Sequence, residues 1–240
     1  SMGAVDVAGK TRAEAVAADV RQLVTSLEGA RFSVVSFDNE ARVELPSTTD
    51  AMAVTTTINA LGWREAEHGK GSDIAVAVPT LTTVLKTAQQ NHPEAARLLY
   101  YFGDGEQTSA TAPTSFAPLA PLVDDATVVG YGSTEGAPMR RSRVDDRTIV
   151  VDGRTARSKA DPAQLKRIAA DLGGTFRVGP VGPQFAPDRQ KVPEKLTDDA
   201  AARGGREWYW ALAIAVQLLV LVDVVLAARR WKSSRQEMRA

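Results

Sequence analysis

The sequence predicts an α/β domain with a doubly wound, mostly parallel sheet and helices on both faces, followed by a C-terminal transmembrane helix. Three observations predict it. Short apolar runs alternate with stretches of 3.6-residue apolar period, the pattern of strands alternating with helices. The apolar runs 97–102 and 126–131 lead directly into or end in glycine, as strands do where they meet a loop. Residues 208–228, WYWALAIAVQLLVLVDVVLAA, form a single apolar stretch.

The elements follow in order. Residues 11–28 place Ala15, Val16, Val20, Leu23, Val24 and Leu27 on one helical face, and Gly29 stops the helix. RFSVVSF at 31–37 reads as a buried strand, and Ala41 to Leu45 as a second after an Asp38-Asn39 turn, broken at Pro46. Asp50 to Leu61 is a helix with an aspartate N-cap. Ser72 to Ala88 repeats the helical pattern, and RLLYYF at 97–102 is a strand ending in Gly103-Asp104-Gly105. ATVVGY at 126–131 is another strand, and Asp152-Gly153 within 147–157 marks a two-residue hairpin. Asp161 to Leu172 is an amphipathic helix stopped by Gly173-Gly174, and Phe176 to Val178 is the last strand.

Composition narrows the function classes. The 240 residues hold 29 basic and 29 acidic side chains, so there is no basic excess of the kind nucleic-acid binders show. With no cysteine, disulfide frameworks, thiolate-bound zinc, iron–sulfur clusters and cysteine nucleophiles are excluded. The two histidines, His68 and His92, leave little room for a histidine-rich metal site or a Ser-His-Asp triad. The segment 208–228 is long enough to cross a bilayer core of roughly 30 Å. Trp208, Tyr209 and Trp210 supply an interfacial belt at one end, and Arg229, Arg230 and Lys232 close the other. Five basic residues against one acidic in the tail 229–240 place that tail in the cytoplasm and the bulk of the chain outside. Asp223 within the span either leans toward Arg229 and Arg230 or meets another transmembrane helix. The Pro-, Gly- and charge-rich segment 181–207 reads as a stalk between domain 1–180 and the span.

In a doubly wound sheet, ligands gather at the carboxyl ends of the strands. Three segments converge there: Ser1-Met2-Gly3, Gly71-Ser72-Asp73 and Gly103-Asp104-Gly105-Glu106. Ser1, Ser72 and Asp104 offer hard oxygen ligands, which suit Mg²⁺ or Mn²⁺. Taken singly, Gly-Asp-Gly is a common turn, Ser72 a helix N-cap and Ser1-Met2 a remnant of expression; their order and spacing together favour the site.

These phrases resemble the von Willebrand factor type A (VWA) domain, whose metal-ion-dependent adhesion site combines Asp-x-Ser-x-Ser after the first strand with a Thr or Ser in a second loop and an Asp in a third. YYFGDGEQT resembles the third-loop motif with Asp104 as the carboxylate, KGSDIAVAV the second loop with Ser72 in the Thr place, and Ser1-Met2 the end of the first motif. VVGYGSTEGAPM, ADPAQLKRIAADLGGTFRVG and the single span with its basic tail resemble the bacterial membrane-anchored Bat (aerotolerance) branch. On this alignment the first strand and two first-motif ligands lie upstream of Ser1. The sheet interior is then expected to be partly exposed and the metal site incomplete, with weak or no metal binding. The resemblance implies a binding module rather than an enzyme. Its bound cation takes a carboxylate from a protein partner, possible associates being a MoxR-type AAA+ ATPase and other membrane VWA proteins. Two rival expectations stand beside it: a metal-independent membrane anchor, with Asp223 as its pointer, and a metal-dependent hydrolase, with Glu106 as general base.

Overall fold

The computed structural model describes residues 1–63, 72–109, 113–151 and 153–182, together with residue 217. The chain divides into two compact units, Ser1–Thr197 and Asp198–Ala240. The expected span 208–228 apart from residue 217, the tail and most of the stalk lie outside the described residues, as does Asp223. No helix among the described residues is long and apolar enough to cross a membrane.

The chain opens with a short antiparallel pair, β1 (Val5–Val7) and β2 (Lys10–Thr11), then α1 (Arg12–Ser26). Thr11 and Glu14 form a reciprocal capping box that fixes where α1 begins. β3 (Phe32–Phe37) and β4 (Ala41–Thr48) form an antiparallel hairpin, followed by α2 (Ala51–Leu61) with the expected Asp50 cap. The break expected at Pro46 does not occur, and β4 runs through it to Thr48. Among the described residues β4 pairs only with β3, so it is an edge strand, and an edge tolerates a residue without an N–H.

α3 spans Val78–Asn91, so the helix expected from Ser72 starts six residues later. Residues 72–77 are drawn into loop hydrogen bonds instead, and Pro79 suits the first turn. β5 (Leu98–Gly103) follows, then a 3-10 turn at Ala117–Leu122 and β6 (Asp125–Gly130). β7 (Ala137–Pro138) pairs with β10 (Arg157–Ser158), enclosing the hairpin of β8 (Val150–Val151) and β9 (Arg154–Thr155) around the expected turn. α4 (Pro162–Asp171) and β11 (Thr175–Val178) complete the described part.

The parallel sheet has the order β11-β6-β5 and is smaller than expected, because among the described residues every other strand pairs antiparallel. Its two faces are covered by different elements, as double winding requires. Tyr101, Ala126 and Val128 pack with Leu85, Leu119, Leu165 and Ile168 on one side. Val129 and Tyr131 pack with Ala15 and Leu23 of α1 on the other. β3 and β5 belong to separate sheets, although the rings of Phe37 and Tyr101 lie 5.5 Å apart. β6 is buried from Ala126 to Gly130, while Leu98, Leu99 and Tyr100 of β5 and Val34 and Val35 of β3 are only half-buried.

Candidate functional site

Asp104 follows the last residue of β5 and is 5% exposed. Its carbonyl accepts from the Asp161 N–H (2.7 Å), tying it to the start of α4. Gly105 turns the chain with a φ of +72°, where an added Cβ would lie 2.8 Å from the Asp161 carbonyl oxygen. The turn brings the Glu106 N–H back onto Asp104 Oδ1 at 3.1 Å.

The second oxygen of Asp104 meets a buried guanidinium. Arg12 is the first residue of α1, where the helix dipole disfavours a cation, and it is 0% exposed. Two carboxylates compensate it. Nε and Nη2 donate to Asp6 Oδ1 and Oδ2 at 2.9 and 2.7 Å, a bidentate pair, and Nη1 donates to Asp104 Oδ2 at 2.7 Å. Nη1 also donates to Ser158 Oγ (2.8 Å) and Nη2 to the Ser158 carbonyl (3.0 Å), so all five N–H groups are used. Gly132 makes room for the guanidinium: a Cβ there would lie 2.3 Å from Nε, at a φ of +100°.

Burial pushes the Asp6 carboxyl up, but hydrogen bonds from Arg12 and Ser133 outweigh it and hold the group below its ordinary 3.8. Desolvation likewise opposes the Arg12 charge, yet the hydrogen bond to Asp6 and the nearby Asp104 and Asp6 charges raise its pKa. The Ser158 hydroxyl gives its proton to Glu106 Oε2 at 2.5 Å, and the Lys159 N–H occupies Oε1 at 3.1 Å.

The other two predicted residues stand on the same rim. The Ser1 α-amino group lies within electrostatic reach of Asp104, Glu106, Arg12 and Asp38. Ser72 is stitched to the Asp104 loop: its N–H donates to Thr108 Oγ1 (2.6 Å), and its carbonyl accepts from Thr108 and Ser109. The neighbouring Asp73 N–H donates to the Asp38 carbonyl at 2.8 Å, joining this loop to the end of β3.

The donor set fits a small hard cation. Mg²⁺ binds one or two carboxylates and keeps water in the remaining positions. Asp104 Oδ1, which accepts one N–H, has a lone pair left. Among the described residues no three acidic, histidine or cysteine side chains are grouped to hold a metal by themselves.

Sequence reading missed Asp6, Arg12 and Ser158. One signal was available: a basic residue inside a Thr-x-x-Glu capping box, directly after the Thr at the helix end where its charge is disfavoured, needs a counter-charge. Which carboxylates supply it is a tertiary fact.

A parallel sheet with helices on both faces defines an α/β domain of the doubly wound class, in which ligands gather at the carboxyl ends of the strands. Residues 1–106 match the family model of the von Willebrand factor type A domain. Its fold is similar to that of an aerotolerance-related membrane protein from Bacteroides fragilis bearing multiple mutations to serine. That structure is 19% identical with a TM-score of 0.61, over 76% of this chain and 88% of that one. It is similar also to the conserved hypothetical protein BatB from Bacteroides thetaiotaomicron, 19% identical with a TM-score of 0.60, over 84% and 92% of the two chains. These are the folds that the resemblance to the Bat branch leads one to expect. No curated protein matches the sequence.

Proposed function

We propose that this chain is a membrane-anchored VWA domain that captures a protein partner through a divalent cation at the rim of Asp104. VWA domains commonly mediate protein–protein interaction, and the Bacteroides fragilis relative in fold is described as a membrane protein. The observation that carries the reading is the convergence on one buried carboxylate. Asp104 stands at the carboxyl end of β5, with Ser1 in electrostatic reach and the Ser72 loop bonded to its own loop. Ser1, Ser72 and Asp104 would hold Mg²⁺ or Mn²⁺. When bound, the cation supplies an open coordination position for a partner's Asp or Glu. The chain's own residues orient that position: Arg12 and the Glu106 N–H fix the plane of the Asp104 carboxylate, and Thr108 fixes the Ser72 loop. Three protein ligands are fewer than the about six an octahedral cation takes, so affinity is expected to be weak.

The surroundings of Glu106 favour a binding module over a hydrolase. Both its oxygens accept hydrogen bonds, from Ser158 and Lys159, which makes it a strut between two loops rather than a base open to water. The span 208–228 anchors the domain, with the basic tail in the cytoplasm and the domain outside. A MoxR-type ATPase and other membrane VWA proteins are candidate associates through the Bat-like fold.

Equilibrium dialysis of the full chain in detergent against Mn²⁺ tests the reading. Weak saturable binding that is lost in Asp104→Asn and reduced in Ser72→Ala supports it. Equal retention by wild type and Asp104→Asn overturns it.

A further inference from the structure

Arg12 has a role toward this rim that its position alone does not announce. A guanidinium with every N–H engaged and no solvent exposure is shared between two carboxylates on different elements, Asp6 on β1 and Asp104 after β5. Asp6 takes it bidentately, whereas Asp104 receives a single N–H on Oδ2. Asp6 is itself fixed by the Ser133 N–H at 2.9 Å, and Ser158 closes the far side of the guanidinium.

We propose that Arg12 is a positioning residue that sets the cation affinity of the rim, with Asp6 controlling how much of its charge Asp104 feels. This rests on the cation-binding reading above. The guanidinium aims Asp104 Oδ2 toward α1 and presents Oδ1 to the rim. It also places a full positive charge 2.7 Å from the carboxylate that a divalent cation must use. In a water-poor site two cations on one carboxylate repel, so the guanidinium lowers affinity while it fixes geometry. Asp6 draws charge the other way, and the pair Asp6–Arg12 therefore works as an internal bias on Asp104. The groups facing Arg12 are Asp6, Asp104 and Ser158, with Glu106 behind Ser158, the Gly132 backbone against Nε and the Ser1 α-amino group within electrostatic reach.

The bias makes two variants move in opposite directions. Asp6→Asn leaves the guanidinium charge to Asp104 alone and is expected to weaken Mn²⁺ binding by about tenfold. The double variant Asp6→Asn/Arg12→Gln removes both charges together and is expected to strengthen it by about tenfold or more. A purely structural role would weaken binding in both.

The experiment is Mn²⁺ titration of the full chain in detergent, read by the electron paramagnetic resonance signal of free Mn²⁺, with a thermal melt to establish folding. Opposite shifts support the proposal. A folded double variant that binds no tighter than wild type overturns it, as does Asp6→Asn binding as well as wild type. If the double variant does not fold, the Asp6→Asn result decides alone. Measurable wild-type binding lost in Asp104→Asn, with neither Asp6 variant shifting it as stated, sinks only the Arg12 role. No binding by wild type or the double variant sinks both readings.

Discussion

Two buried aspartates in this domain are satisfied in opposite ways. Asp19, 1% exposed within α1, accepts from the Tyr131 hydroxyl (2.7 Å) and from the N–H groups of Val181 (2.8 Å) and Gly182 (2.9 Å). All three donors are neutral and fixed, and they pin the segment after β11 to α1. Burial first, then the hydrogen bond to Asp19 and its charge, push the Tyr131 phenol far above its ordinary range, so it stays a donor at any physiological pH. Asp104 instead answers to a cation that a second carboxylate also claims. A carboxylate held by fixed dipoles cannot change partners without local unfolding. A carboxylate that shares a buried cation with a second carboxylate is biased by a charge rather than by neutral dipoles, and in the proposed reading this difference separates the rim from the structural aspartate.

The largest expected effect tests the structural member. Asp19→Ala leaves a buried phenol and two amides without an acceptor and is expected to lower stability by roughly 2–4 kcal/mol in urea unfolding, with Mn²⁺ affinity unchanged. A loss of cation binding there would erase the contrast between the two residues. Gly132→Ala reaches the other member, since the new Cβ collides with the Arg12 guanidinium at a strained backbone angle. It is expected to lower the unfolding free energy by about 2–3 kcal/mol and to alter Mn²⁺ affinity as well. Tyr131→Phe removes one neutral donor from Asp19 and should lower stability by about 1 kcal/mol, leaving the rim untouched.

The smallest effect is acid dependence. Asp6 has a folded-state pKa below its ordinary value, so the folded protein binds fewer protons at this group than the unfolded chain. Its contribution is present above the ordinary value of 3.8 and is lost as the pH falls through the lowered folded value. Stability measured against pH should therefore decline at the acid end, and Asp6→Asn should flatten that part of the curve. An unchanged curve in the variant would remove Asp6 from the bias on Asp104.

The sequence showed the alternation of helices and strands because that signal is local. The α1 face, the Asp50 cap, the Asp152-Gly153 hairpin position and the strand before Asp104 all follow from neighbours along the chain. Pro46 misled because a proline breaks a strand only where its missing N–H is needed, and edge position is a tertiary property. The start of α3 was misplaced because Ser72, Asp73 and Ile74 bond to residues 38, 107, 108 and 109 or cap the local turn, which sequence spacing does not show. In the site, Asp104 was legible from the glycines around it. The Arg12 cluster was not, because the Arg12–Asp104 pair spans 92 residues and depends on Gly132 lending space from a third element.

In the proposed reading the rim of Asp104 holds a divalent cation and the pocket of Asp19 does not. Isothermal titration of Mg²⁺ into the full chain in detergent, beside Asp104→Asn and Asp19→Asn, separates the two. Weak saturable binding at one cation per chain is expected of wild type and of folded Asp19→Asn, and none of folded Asp104→Asn. Binding that survives Asp104→Asn, or that wild type never shows, would overturn the cation site.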